Sequence, residues 1–83
     1  MYIYGAGDNA KIALEYAKKK GVRVVGYVVS NGHKDKETIY NLPIKEISEI
    51  EPYRNEFIVI GTTKYREEVE KILQQKNFVY SVF

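Results

Sequence analysis

The sequence predicts an α/β domain built on a parallel sheet. Three observations carry that prediction. Short aromatic or β-branched runs recur at residues 2–4, 22–29, 57–61 and 78–83. Helix-period segments separate the first run from the second and the third from the fourth. The length, 83 residues, holds one domain. Strands alternating with helices are the signature of βαβ units, whose strands run parallel.

The first strand, Tyr2-Ile3-Tyr4, is stopped at once by Gly5-Ala6-Gly7. Over residues 8–20, Ala10, Ala13, Leu14 and Ala17 recur at three- and four-residue spacing, and Ile12 and Tyr16 widen the apolar stripe. Gly21 supplies a left-handed stop. Residues 22–29 form a nearly continuous β-branched run, as expected for a strand covered on both faces. A polar loop, 30–37, follows. Residues 39–44 are expected to be extended, with Pro43 keeping them off a central strand position, and 45–50 to make one or two helical turns ended by Pro52. The third strand, 57–61, leads into a helix capped by Thr62 or Thr63, with the stripe Tyr65, Val69, Ile72 and Leu73. Asn77 ends that helix, and 78–83 make the fourth strand.

Right-handed crossovers then give four parallel strands in the order 2-1-3-4, with helices on both faces as an α/β/α sandwich. Growth of such a sheet reverses between strands one and three, and ligands of open α/β sheets bind at that switch point.

Composition narrows the function. The 13 Lys and Arg nearly balance 11 Asp and Glu, for a net charge of +2, and the two signs are interleaved. The basic run Lys18-Lys19-Lys20 complements a helix end, so no nucleic-acid partner is expected. The absence of cysteine excludes a disulfide framework, a thiolate metal site and a cysteine nucleophile. The longest apolar stretch, 24–29, falls far short of the roughly 20 residues of a membrane helix. With no signal peptide visible, the chain is expected to be soluble and cytoplasmic.

Two loops at the carboxyl ends of strands one and three can carry binding chemistry. The first is Gly5-Ala6-Gly7-Asp8-Asn9-Ala10, a G-x-G-x-x-A pattern between a strand and a helix. In that pattern Gly5 permits a tight turn, Gly7 lets the backbone approach a ligand, and Ala10 allows close helix–sheet packing. The helix start is an anion seat, although Asp8 would repel a phosphate placed on the same turn. Asn9 either contacts a ligand or caps the helix. The second loop, Gly61-Thr62-Thr63-Lys64-Tyr65-Arg66, adds two hydroxyls and two cations. Two readings stand side by side: a phosphate-bearing ligand site, or a tight turn shaped by packing alone.

A dinucleotide site would place Asp or Glu at the end of strand two to hold the ribose. Ser30 and Asn31 stand there, able to hydrogen-bond a ribose without a carboxylate, so NAD is disfavoured. His33, the single histidine, lies in a polar loop without a nucleophile nearby. Glu67, Glu68 and Glu70 read as a solvated helix face. Tyr4, Tyr27 and Tyr65 fall near the predicted crevice, where they either stack on a base or pack in the core. No catalytic set and no metal cluster emerges, so the chain is not expected to be catalytic by itself.

The runs Ile3-Tyr4-Gly5-Ala6-Gly7 with Ala10-Lys11, Val25-Gly26-Tyr27-Val28, Leu42-Pro43-Ile44, and Ile58-Val59-Ile60-Gly61 with Arg66 together suggest a family. The chain resembles the Rossmann-like N-terminal domain of bacterial sugar O- and N-acetyltransferases of the sialic-acid and bacillosamine type. It is similar also to small domains appended to glycosyltransferases and other polysaccharide-biosynthesis enzymes. The resemblance implies a nucleotide or UDP-sugar ligand, held by Gly5, Gly7, Ala10 and Lys11 at the first turn and by Gly61, Thr62 and Arg66 at the second. It departs from the acetyltransferases at Asp8-Asn9, where they carry Gly-His, and at Ser30-Asn31, where they carry an acidic pair. It also lacks their hexapeptide repeats, so acetyl transfer is not expected of this chain alone. A piece of a longer transferase is the expectation. The alternative is an interaction or dimerisation module that keeps the fold without the ligand, pairing with a second copy or an adjoining transferase domain.

Overall fold

A computed structural model describes residues 1–51, 57–62 and 64–83. In chain order the elements are β1 (Tyr2–Tyr4), α1 (Asp8–Lys19), β2 (Gly26–Val29), β3 (Thr38–Ile39), β4 (Leu42–Glu46), a 3₁₀ turn (Ile47–Glu49), β5 (Phe57–Ile60), α2 (Arg66–Gln75) and β6 (Val79–Val82). They form a mixed α/β domain around one six-stranded sheet of order β3-β4-β2-β1-β5-β6. β1 lies between β2 and β5, and every pairing is parallel except β3 with β4.

The four expected strands occupy the expected relative order, β2-β1-β5-β6, but the sheet is neither four-stranded nor wholly parallel. The segment expected to be a single extended stretch is a hairpin. Tyr40 and Asn41 both take positive φ, 51° and 64°, the geometry of a two-residue turn that matches strand twist. No glycine announces that turn. Pro43 sits within β4, opposite Thr38. The Ile44 amide donates to the Glu37 carbonyl, so Thr38 and Pro43 form the non-hydrogen-bonded pair between two bonded ones. The missing proline N–H therefore leaves the hairpin ladder intact, and pairing with β2 begins one residue later, at Ile44. The second strand is also shorter than expected, beginning at Gly26, because β1 offers only three residues to pair with. Lys45 and Glu46 belong to β4, so the helical turn expected over 45–50 shrinks to Ile47–Glu49. Pro52, expected to end it, lies outside the described residues.

Strand alternation sorts the core into two clusters. Ile3, Tyr27 and Ile44 meet Ala10, Ala13 and Leu14 of α1. Tyr2, Tyr4, Val28, Ile58 and Ile60 meet Val69 and Leu73 of α2. The alanines bring α1 close to the sheet and narrow its buried stripe. Ile12 and Tyr16 therefore do not widen it: each is 53% exposed on the flank, with the Tyr16 ring edge-on to Phe83 at 5.6 Å. Tyr65, also 53% exposed, precedes α2 instead of joining its core face. No side-chain cap comes from Thr62, which lies four residues before the helix; Thr63 lies outside the described residues. Both helices end as their sequences indicate. Gly21 and Asn77 take φ of 72° and 62°, and Val22 and Phe78 return N–H bonds to Ala17 and Leu73, closing Schellman motifs.

Candidate functional site

The ends of the central strands are laced together. Gly61 N–H donates to the Tyr4 carbonyl at 2.9 Å, and Gly5 N–H donates to the Val28 carbonyl at 2.7 Å. The carboxyl ends of β2, β1 and β5 are thus held side by side, with the turns into α1 and α2 rising next to each other.

Each glycine in these turns answers a different demand. Gly5 has φ +106°, a backbone state side-chain-bearing residues rarely adopt. Gly61 is a packing glycine: a Cβ there would lie 2.9 Å from Ile3 Cγ2 and 3.2 Å from Ala10 Cα. Ala10, fully buried, is the matching small residue on α1. Gly7, the N-cap of α1, has φ −99° and ψ −158°, open to any residue. No described atom outside its chain neighbours lies within 4 Å of a Cβ placed there. Among the described residues, the space beside Gly7 is thus open, next to the first turn of α1. Asp8 stands in that turn.

A cleft of about 390 Å³ opens at the ends of β1, β2 and β5 on the α2 side of the sheet. Tyr4 and Ser30 lie at its base, their hydroxyls 2.6 Å apart. Burial pushes the Tyr4 phenol above its ordinary pKa of 10, against a smaller lowering by the Ser30 bond, so it is a neutral hydroxyl at physiological pH. Gly5 and Thr62 form the side toward the two turns, Val69 and Ile72 the apolar wall, and His33, Tyr65 and Glu68 complete the lining.

Of the sequence-derived candidates, Gly5, Ser30 and Thr62 meet in this cleft. Gly7, Asp8 and Asn9 surround the start of α1. Ala6 packs partly buried against the α1-side core, and Ala10 lies within it. Other candidates point elsewhere. The Asn31 side-chain oxygen accepts the Ser48 N–H at 3.1 Å and pins the 3₁₀ turn. Lys11 Nζ lies 5.6 Å from the Tyr40 ring centroid, and Arg66 Nε lies 3.8 Å from Glu70 Oε2. Tyr27, expected near the crevice, is fully buried on the α1 side instead, its hydroxyl without a hydrogen-bond partner among the described residues. Alternation explains this: Tyr27 and Tyr4 project from opposite faces.

Glu68 is exposed, as the solvated-face reading of α2 expects, and also lines the cleft. Its signal was spacing, for Tyr65, Glu68, Val69 and Ile72 fall on one helical stripe, all of which lines the cleft. Among the described residues no group of His, Asp and Glu is arranged to hold a metal ion, and no helix is long and apolar enough to cross a membrane.

A mixed α/β domain with a cleft at the carboxyl ends of its central strands is the class that fold and geometry define. The family model described as C2185-like, N-terminal, matches residues 1–80, and the chain belongs to that family. Comparisons with curated proteins and with solved structures gave no match.

Proposed function

We propose that this domain binds a nucleotide or nucleotide sugar at the carboxyl edge of its sheet, as a Rossmann-like, three-layer module of a bacterial sugar or polysaccharide transferase. The observation that carries this reading is the first turn: Gly5 borders the cleft, and beside it no described neighbour crowds a Cβ at Gly7. The ligand's phosphates lie along the turn from Gly5 into α1, where backbone N–H groups and the helix dipole favour anions. The nucleoside end enters the cleft. Likeness to the sugar acetyltransferase domains favours a UDP-sugar among nucleotides.

Thermal melts of the chain with UDP, CDP, GDP, ADP and UDP-sugars test the reading. A ligand at 100 times its Kd adds about 2.7 kcal/mol of stability, which raises Tm by on the order of 10 °C or more for a domain this small. Gly7→Val removes that shift and lowers unliganded stability only modestly, by about 1 kcal/mol for a β-branched residue at the N-cap, since no described neighbour contests a Cβ there. A flat panel at millimolar ligand overturns the proposal.

A further inference from the structure

The cleft contains an acceptor that neither the glycine turn nor the end of β2 supplies. At the end of β2, Ser30 offers a hydroxyl, whereas Asn31 is already engaged by Ser48. Across the cleft, Glu68 brings a carboxylate from the first turn of α2. Its neighbour Glu70 is held by Arg66 and by the Tyr80 hydroxyl. Glu68 has no hydrogen bond or ion pair among the described residues. Its two oxygens are therefore available to donors entering the cleft, while its charge disfavours a phosphate there. We infer that Glu68, with Ser30 opposite, holds the ribose 2′,3′-diol of the bound ligand, making the cleft selective for ribonucleosides over 2′-deoxyribonucleosides. The inference rests on the nucleotide-binding reading.

The chemistry follows from the groups present. A cis-diol offers two O–H donors, and an ionised carboxylate accepts two at once. Ser30 Oγ, already paired with Tyr4, keeps further hydrogen-bonding capacity for a sugar hydroxyl. The remaining lining suits a base: Val69 and Ile72 are apolar, and the half-exposed Tyr65 ring gives a stacking face. A volume of about 390 Å³ is within the range of small-molecule sites. The carboxylate comes from the helix after β5, so the diol is gripped from the α2 side of the cleft.

Calorimetric titration of the full chain with UDP, CDP, GDP and ADP, each against its 2′-deoxy counterpart, decides the matter. The ribonucleotide that binds is expected to do so about 10- to 100-fold more tightly than its deoxy form, the scale of a hydrogen bond to a charged group. Glu68→Gln keeps the fold, because the residue is exposed. It is expected to weaken the ribonucleotide by a similar factor, affect the deoxynucleotide less, because its single 3′-hydroxyl can still donate to the Gln carbonyl oxygen, and erase the discrimination. Equal affinities in the unmodified chain, or discrimination that survives in E68Q, overturn the inference and leave nucleotide binding standing. No binding by any of the eight nucleotides or by a UDP-sugar at millimolar concentration overturns both.

Discussion

The turns leaving β1 and β5 both place glycine directly after a strand, yet their surroundings differ. At the β5 turn Gly61 is wedged between Ile3 and the backbone of α1, so its lack of a side chain is required by the interior. At the β1 turn the requirement is divided. Gly5 is needed for its backbone angle, with Thr62 Cβ 3.3 Å from the place its own Cβ would take, whereas no described neighbour crowds a Cβ at Gly7, the N-cap of α1. A glycine-rich turn thus has no single meaning. Whether space beside the residue is filled by the protein or left open separates a packing glycine from one free to meet a ligand.

Substitutions at the three positions break or sharpen that contrast. Gly61→Val should have the largest effect, a loss of about 3 kcal/mol or more from overpacking a site with no slack, read from the midpoint of urea unfolding. Gly5→Ala should lose about 1–2 kcal/mol, mostly backbone strain at positive φ. Gly7→Ser should have the smallest effect and the opposite sign, a gain of a few tenths of a kcal/mol from a hydroxyl cap on α1. If Gly7→Ser destabilised as much as Gly61→Val, the open space over Gly7 would be illusory and the contrast would collapse.

Most of the central architecture was legible before the structure, for physical reasons that also explain the misses. β-branched runs separated by helix-period segments leave few ways to arrange four strands, and β2-β1-β5-β6 is the arrangement found. The β3–β4 hairpin was not legible, because Tyr40 and Asn41 reach left-handed angles without the glycine that usually marks them. Exposure of Ile12 and Tyr16 depends on how far α1 shields the sheet, which its own periodicity does not contain. The turn glycines and Ser30 of the candidate site could be read locally. The opposite wall could not, because acidic residues early in a helix satisfy its dipole equally well in solvent. Asn31 was misleading for a related reason: its partner, Ser48, is 17 positions away.

The lacing of the central strands also bears on how the chain reaches its native state. The β3–β4 hairpin closes over two residues, and each helix forms from neighbours in sequence. Such elements assemble on the microsecond scale. β1 must instead find β5, pairing residue 4 with residue 60. That long closure is a slow, entropically opposed step. The cleft draws on Tyr4, Ser30, Thr62 and Glu68, so it does not exist until this closure is complete. On the proposed reading, a nucleotide would have nothing to hold in a partly assembled chain. It would act as a latch on the finished molecule, slowing escape from the native state without hastening arrival.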